Sequence, residues 1–212
     1  MLYKATIDGS ALELLTRLMA DEAFNDFVLV GGTALALQLG HRISIDIDLF
    51  STEAFDQNQL LDYLRNDYHF ELDFISENTL KGEVKGVQLD CIAHQYPWIN
   101  EYIIEENIRI ASFEDIAAMK LNAIAGTGTR IKDYIDLAFL SCKISFSQML
   151  KGYETKYRSN PIIPVKAITY FDDINFKEPI NMTNGSGYDW KKIAKRLKNM
   201  QNNPNRVFEP FN

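Results

Sequence analysis

Val30-Gly31-Gly32-Thr33-Ala34-Leu35, followed by Ser44-Ile45-Asp46-Ile47-Asp48-Leu49-Phe50, decides how this chain is read. The apolar run 27–30, ending in Gly-Gly, reads as a short strand. Residues 33–39 read as a short apolar helix closed by Gly40. A second strand follows, in which alternation sends Ile43, Ile45, Ile47 and Leu49 to one face and Ser44, Asp46 and Asp48 to the other. Two carboxylates one strand repeat apart, about 7 Å, repel unless a cation lies between them. Paired hard oxygen ligands suit Mg²⁺. The glycines admit a phosphate chain close to the backbone, and a helix start at Thr33 aims its free N–H groups at an anion. A phosphate cradle beside a divalent metal is what phosphoryl or nucleotidyl transfer requires.

Each element of that pattern has a plainer explanation. An Asp-x-Asp strand also occurs at a sheet edge with a solvated face, and Gly-Gly alone is often an ordinary turn. An EF-hand loop wants an oxygen ligand at position 50 and glycine at 51, where this chain has Phe50 and Ser51. A phosphatase that forms an aspartyl-phosphate uses Asp-x-Asp but leaves the upstream Gly-Gly unexplained.

The ordered combination resembles a known family. Gly31-Gly32, a gap of thirteen residues and Asp46-Ile47-Asp48 resemble the signature of polymerase-β-like nucleotidyltransferases. The strings Val30 to Leu35 and Asp46 to Phe50 resemble, within that superfamily, the AbiEii/AbiGii toxin family. So do Ser112-Phe113-Glu114-Asp115-Ile116-Ala117-Ala118-Met119-Lys120-Leu121 and Lys132-Asp133-Tyr134-Ile135-Asp136-Leu137. The likeness runs from about residue 25 to about residue 140. It implies an α/β nucleotidyltransferase fold, a mixed sheet with flanking helices, and a helical C-terminal region. It also implies a toxin of a type IV toxin–antitoxin or abortive-infection system. Such an enzyme would transfer NMP from an NTP such as ATP, with Mg²⁺ or Mn²⁺, to a hydroxyl of RNA (tRNA) or protein, and would have a cognate antitoxin. The alternative is a catalytically weak member of the fold that binds a nucleotide or a partner.

By the same resemblance Asp46 and Asp48 hold the metal, and Gly31, Gly32 and Thr33 cradle phosphate. Asp90, which alternates with apolar neighbours in 87–91, serves as third metal ligand and base. If Asp90 does not join the pair, another acid supplies the base or a single metal is held. Lys120 meets the triphosphate and steadies developing charge, although a lysine on a helix is commonly a snorkelling surface residue. Asp133 lies near the nucleotide. Asp136, on the same helix face, ties helix to loop. Arg42 neutralises phosphate or orients Asp48, and His41 meets the last carbonyls of the helix before it. Relatives carry Arg-Gly-Thr before the second C-terminal helix, where this chain reads Thr127-Gly128-Thr129, leaving Arg130 as the nearest guanidinium.

Length and composition agree. With 212 residues, 46% of them hydrophobic, the chain can bury a full core. No run approaches the roughly 18 apolar residues that span a membrane. Lys4, Asp8 and Glu13 near the start are unlike a secretory signal, so a cytoplasmic location is expected. Cys91 and Cys142 sit in apolar elements and read as buried thiols, and three scattered histidines make no zinc site. The net charge of −7 argues against indiscriminate nucleic-acid coating. A helix starting near Asp189 nevertheless gathers Lys191, Lys195 and Lys198 on one face, with Trp190, Ile193 and Leu197 inward. That face is either simply solvated or a contact for a tRNA-sized partner.

The rest of the chain reads as helices over 10–20 and 57–66 and strands over 70–75 and 86–93, with a hairpin or short extra strand at 82–86. Helices then run over 112–125 and 130–142, and another begins at Ser145. Ser112 with Asp115, and Ser145 with Gln148, have capping-box spacing. The expected division is a nucleotidyltransferase domain over 1–110 and a helical region over 111–212.

Overall fold

The computed structural model describes residues 1–185 and 187–211; positions 186 and 212 of the expected helical region lie outside the described residues. The chain divides into two compact units. The first comprises Met1–Gln38, Ser44–Pro97 and Tyr102–Ala111. The second comprises Leu39–Ile43, Trp98–Glu101 and the chain from Ser112 onward. Two short segments from within the expected first stretch, Leu39–Ile43 and Trp98–Glu101, thus fall in the second unit.

The first unit is a mixed α/β fold. In chain order it holds α1 (Gly9–Ala20), β1 (Val28–Leu29), α2 (Gly31–Leu39, whose last residue is assigned to the second unit) and β2 (Ile47–Ser51). It continues with α3 (Gln57–Tyr68), β3 (Phe70–Ser76), β4 (Thr79–Val84), β5 (Val87–Ala93), β6 (Ile103–Glu105) and β7 (Ile108–Ile110). The strands form one sheet in the order β3-β4-β5-β2-β1-β7-β6. The β2–β5 and β1–β7 pairs are parallel and the other neighbours antiparallel.

Local chemistry explains most of these boundaries. The Asp8 carboxylate accepts from Ser10 N–H to open α1, and the helix buries Ala11, Leu14, Leu15, Leu18 and Met19 at helical spacing. Asp56 caps α3 in the same way, and His69 closes it in the left-handed conformation. Lys85-Gly86 joins β4 to β5 with both residues at positive φ, as a two-residue hairpin turn needs. The hairpin or short strand expected at 82–86 is thus a hairpin, whose first strand starts at Thr79. Glu106-Asn107 makes the equivalent turn between β6 and β7, a hairpin the sequence reading passed over.

Two expectations about the deciding stretch need correction. Gly31 and Gly32 begin α2 instead of preceding it. The second strand starts only at Ile47, and the chain before it does not alternate as read: Ile45 is 58% exposed while Ser44 is buried. The reason is the Thr33 hydroxyl, which donates to the Asp46 carbonyl and lies 2.9 Å from Ser44 Oγ. That clamp turns Ser44 inward and forces its neighbour out.

The second unit is helical: α4 (Phe113–Gly126), α5 (Ile131–Leu140), α6 (Phe146–Tyr157), α7 (Ile162–Ala167) and α8 (Trp190–Asn202). Ser145 and Gln148 form the reciprocal capping box at the start of α6. Ser112 accepts from Asp115 N–H, but the Asp115 carboxylate does not return the bond as a box would. Shorter than glutamate by one methylene, it accepts instead from the Ser112 hydroxyl, Ile99 N–H and the Lys156 ammonium at 2.9 Å. Lys156 and Asp115 have no side-chain surface open to solvent, and the Trp98 ring lies 4.8 Å from the ammonium. Cys91 is buried as expected, which pushes its thiol up, whereas Cys142 is half-buried. Among the described residues no helix is long and apolar enough to cross a membrane.

Lys156→Ala leaves the Asp115 charge enclosed without its cation, and such a loss costs about 3–5 kcal/mol. Urea denaturation of the variant is expected to show a fall in stability of that size, far above what removal of a surface lysine does.

Candidate active site

In the first unit the expected metal and phosphate residues come together around the start of α2 and the sheet face beside it. Asp46 immediately precedes β2 and Asp48 lies within it, both half-buried. Gly31 adopts φ +70°, and a Cβ placed on it would lie 2.3 Å from Asp48 Oδ2. The glycine therefore serves two needs, a left-handed backbone and a close approach to a carboxylate. Val30 N–H donates to the Asp48 carbonyl at 2.9 Å, so the turn into α2 is fastened to the strand that carries the acids. The Thr33 side chain is 1% exposed and its hydroxyl is spent on Asp46. Any contact with an anion from this residue falls to the backbone.

Asp90 stands directly opposite Asp48 across the parallel β5–β2 pair. Directly opposed residues project from the same face of a sheet, so the third acid does share the side of Asp48. It does not stand unaccompanied: Lys81, its register partner on β4, places its ammonium on Asp90 Oδ2. Sequence reasoning missed Lys81. Its alternation with Leu80 and Gly82 marked it as outward-facing, but only the register of β4 against β5 shows which acid it meets.

Among the described residues no three His, Cys, Asp or Glu side chains are gathered closely enough to hold an ion by themselves. The donor set at Asp46 and Asp48 still fits Mg²⁺. That ion binds through one or two carboxylates and completes an octahedron with water and phosphate oxygens.

The remaining candidates belong to the second unit, where they form a buried charge cluster. Asp136 is completely buried, and Arg42 grips it with two bonds, Nε to Oδ1 at 2.7 Å and a terminal nitrogen to Oδ2 at 2.9 Å. Lys120 Nζ lies 2.8 Å from Asp136 Oδ2 and 2.6 Å from Asp133 Oδ1. His41 Nε2–H donates to Asp136 Oδ1 at 2.9 Å. Arg130, largely exposed, reaches within 3.9 Å of Asp133 Oδ2. Arg42 is therefore closed on Asp136 with a side chain 6% exposed. His41 meets that same acid instead of helix carbonyls. Lys120 is no snorkelling surface residue, its side chain being 7% exposed.

Burial alone would raise the Asp136 carboxyl, but the Arg42 and Lys120 charges, with the Arg42 and His41 bonds, hold it well below the usual carboxylate range. Burial pulls on Lys120 in the opposite sense, and Asp136 and Asp133 outweigh it, so its ammonium is raised. For His41 burial wins over the Asp136 bond and lowers the imidazole, which stays neutral. Its Nδ1 is the buried side-chain nitrogen left without a hydrogen-bond partner among the described residues.

The basic helix is α8. Lys191, Lys195 and Lys198 are exposed and Ile193, Leu197 and Met200 buried. Trp190 is half-buried against the Phe171 and Phe176 rings. Arg196 does not join the exposed lysines: it lies over Phe211 at 4.2 Å and donates to Ser141 Oγ and the Glu209 carbonyl.

Comparison with known proteins bears on the family and the fold. A family profile described as nucleotidyl transferase AbiEii toxin, type IV toxin–antitoxin system, matches residues 13–88 and 69–205. The uncharacterized protein aq_aa25 of Aquifex aeolicus is 33% identical over 168 residues, covering 76% of this chain and 81% of that protein. Among solved structures, JHP933 from Helicobacter pylori superposes with a TM-score of 0.55 at 20% identity, covering 94% of this chain and 93% of its own. The nucleotidyltransferase toxin MenT4 of Mycobacterium tuberculosis gives a TM-score of 0.58 at 14% identity, with 91% and 80% covered. At those identities the likeness speaks for the fold.

Two measurements test the site's construction. Gly31→Ala must hold an L-residue in the left-handed region, at about 1–3 kcal/mol, and must also displace Asp48, so its stability in urea is expected to fall by at least that amount. For His41, whose imidazole is lowered by burial in the folded protein, the unfolded chain takes up a proton below about pH 6.5 more readily than the folded one, so acidification favours unfolding. The wild-type protein is expected to lose up to ~1.4 kcal/mol per pH unit from this group below that value, and a His41→Asn variant to lack that slope. Denaturation at pH 7 and pH 5 reads the difference.

Proposed function

We propose that this chain, which belongs to the AbiEii family of nucleotidyltransferase toxins of type IV toxin–antitoxin systems, transfers a nucleoside monophosphate from an NTP to a hydroxyl of RNA, tRNA in particular, or of a protein. The observation that carries the reading is the contact between Gly31 and Asp48. It sets a glycine-started helix, with free N–H groups for phosphate, against a carboxylate suited to a divalent ion.

In this reading Asp46 and Asp48 hold Mg²⁺ or Mn²⁺, which when bound supplies positive charge for the phosphates of the nucleotide. Gly31, Gly32 and the backbone of Thr33 receive phosphate oxygens. Asp90 serves the acceptor hydroxyl as base, with the Lys81 ammonium beside it. Lys120, whose ammonium bonds Asp133 and pairs with Asp136 within the helical unit, is the residue proposed to meet a triphosphate. Asp133 orients that ammonium near the nucleotide. Arg42 acts at one remove, by holding Asp136. Such a toxin has a cognate antitoxin as partner, and its nucleotide substrate puts its work in the cytoplasm.

A catalytically weak, nucleotide-binding member of the fold is favoured by one observation, the engagement of Asp90 by Lys81. Product formation separates the two. Transfer of label from each of four α-³²P-NTPs with Mg²⁺, onto total tRNA and onto lysate protein, is expected to give labelled RNA or protein. Asp46→Ala/Asp48→Ala is expected to abolish the label. A folded protein that binds NTP and labels nothing would establish the binding module instead.

A further inference from the structure

Lys81, Asp90 and Asp48 stand directly opposite one another on three neighbouring strands. Asp90 pairs with Lys81 on its β4 side and with Asp48 on its β2 side. Opposed side chains leave a sheet on the same face, and neighbouring strands are about 4.8 Å apart, so one cation and two anions form a line across the sheet. Like charges placed directly opposite destabilise a sheet. The Asp48–Asp90 juxtaposition therefore needs a countercharge, and the chain provides one of its own: the Lys81 ammonium bonds Asp90 Oδ2. The Asp90 side chain is only 21% exposed and that of Lys81 41%, so the pair lies partly out of water.

Sites that use two metal ions hold them about 3.5–4 Å apart between the acids. An ammonium already seated on the third carboxylate repels a second dication and occupies its ligand. We propose, resting on the nucleotidyltransferase reading above, that Lys81 takes the place of a second metal ion. It neutralises Asp90 from within the chain, so the protein binds one divalent cation, at Asp46 and Asp48. Lys81 is in this sense a positioning residue, and it sets the metal count of the site.

Counting bound Mn²⁺ by electron paramagnetic resonance of the free ion, on the full chain, tests this without reference to activity. The wild-type protein is expected to bind one Mn²⁺ per chain and Lys81→Arg likewise one. Lys81→Met is expected to bind two, and Lys81→Met/Asp90→Asn to return to one. Lys81→Gln serves the same comparison if the methionine variant has no cooperative thermal transition. Two ions on the wild-type protein, or one on the folded Lys81→Met and Lys81→Gln variants, overturns the inference alone, provided Asp46→Ala/Asp48→Ala removes an ion. A wild-type protein that binds none, or a count indifferent to Asp46 and Asp48, overturns both the inference and the metal-dependent reading beneath it.

Discussion

Asp136 carries a negative charge with none of its surface open to water, and the helical unit is organised around meeting it. A carboxylate so enclosed is tolerable only when paired and fully hydrogen-bonded. Three side chains meet it: the Arg42 fork, the Lys120 ammonium and the neutral His41 ring. They come from α4 and from the segment Leu39–Ile43, while Asp136 itself lies on α5. The short segment therefore belongs to the helical unit despite its place in the chain, because its two polar side chains have their partner there. Two buried cations, Arg42 and Lys120, stand against two anions, Asp133 and Asp136, with the exposed Arg130 at the edge of the cluster. Asp115 and Lys156 repeat the device between α4 and α6.

The first unit treats charge differently. Its acids lie on a sheet face that is only half-buried, where repulsion between opposed carboxylates is moderated by solvent and by Lys81. The tight constraint there is steric. Gly31 approaches Asp48 so closely that a Cβ there would have to push the carboxylate aside, and the bond from Val30 to Asp48 holds the helix start in register with the strand. Close approach and open charge together make a place where an anionic chain and a cation can both be received. The helical unit instead encloses its charge and neutralises it.

Much of this was legible in the sequence because it is local. Helical spacing of Leu14, Leu15 and Leu18, the cap at Ser145, the helix start near Asp189 and the alternation from Ile47 to Leu49 are properties of neighbouring residues. Each element they imply is present. The glycine pair and the Asp-x-Asp motif are local too, and together they carried the resemblance to the AbiEii family. What failed also has a local cause that lies elsewhere in the chain. Continuous alternation would put Ile45 on the face of Ile47 and Leu49, but Thr33, more than ten residues away, fastens the backbone of Asp46 and breaks it.

By itself the sequence determined which residues carry charge, which faces are apolar, and that two glycines precede two acids at a telling spacing. Only the tertiary structure decided what each charge meets: Lys81 on Asp90, Arg42 on Asp136, Lys156 on Asp115. Periodicity places a side chain on a face, since it follows from the geometry of one element. Its partner depends on strand register and helix packing between segments far apart in the chain, and no periodicity within either segment encodes that.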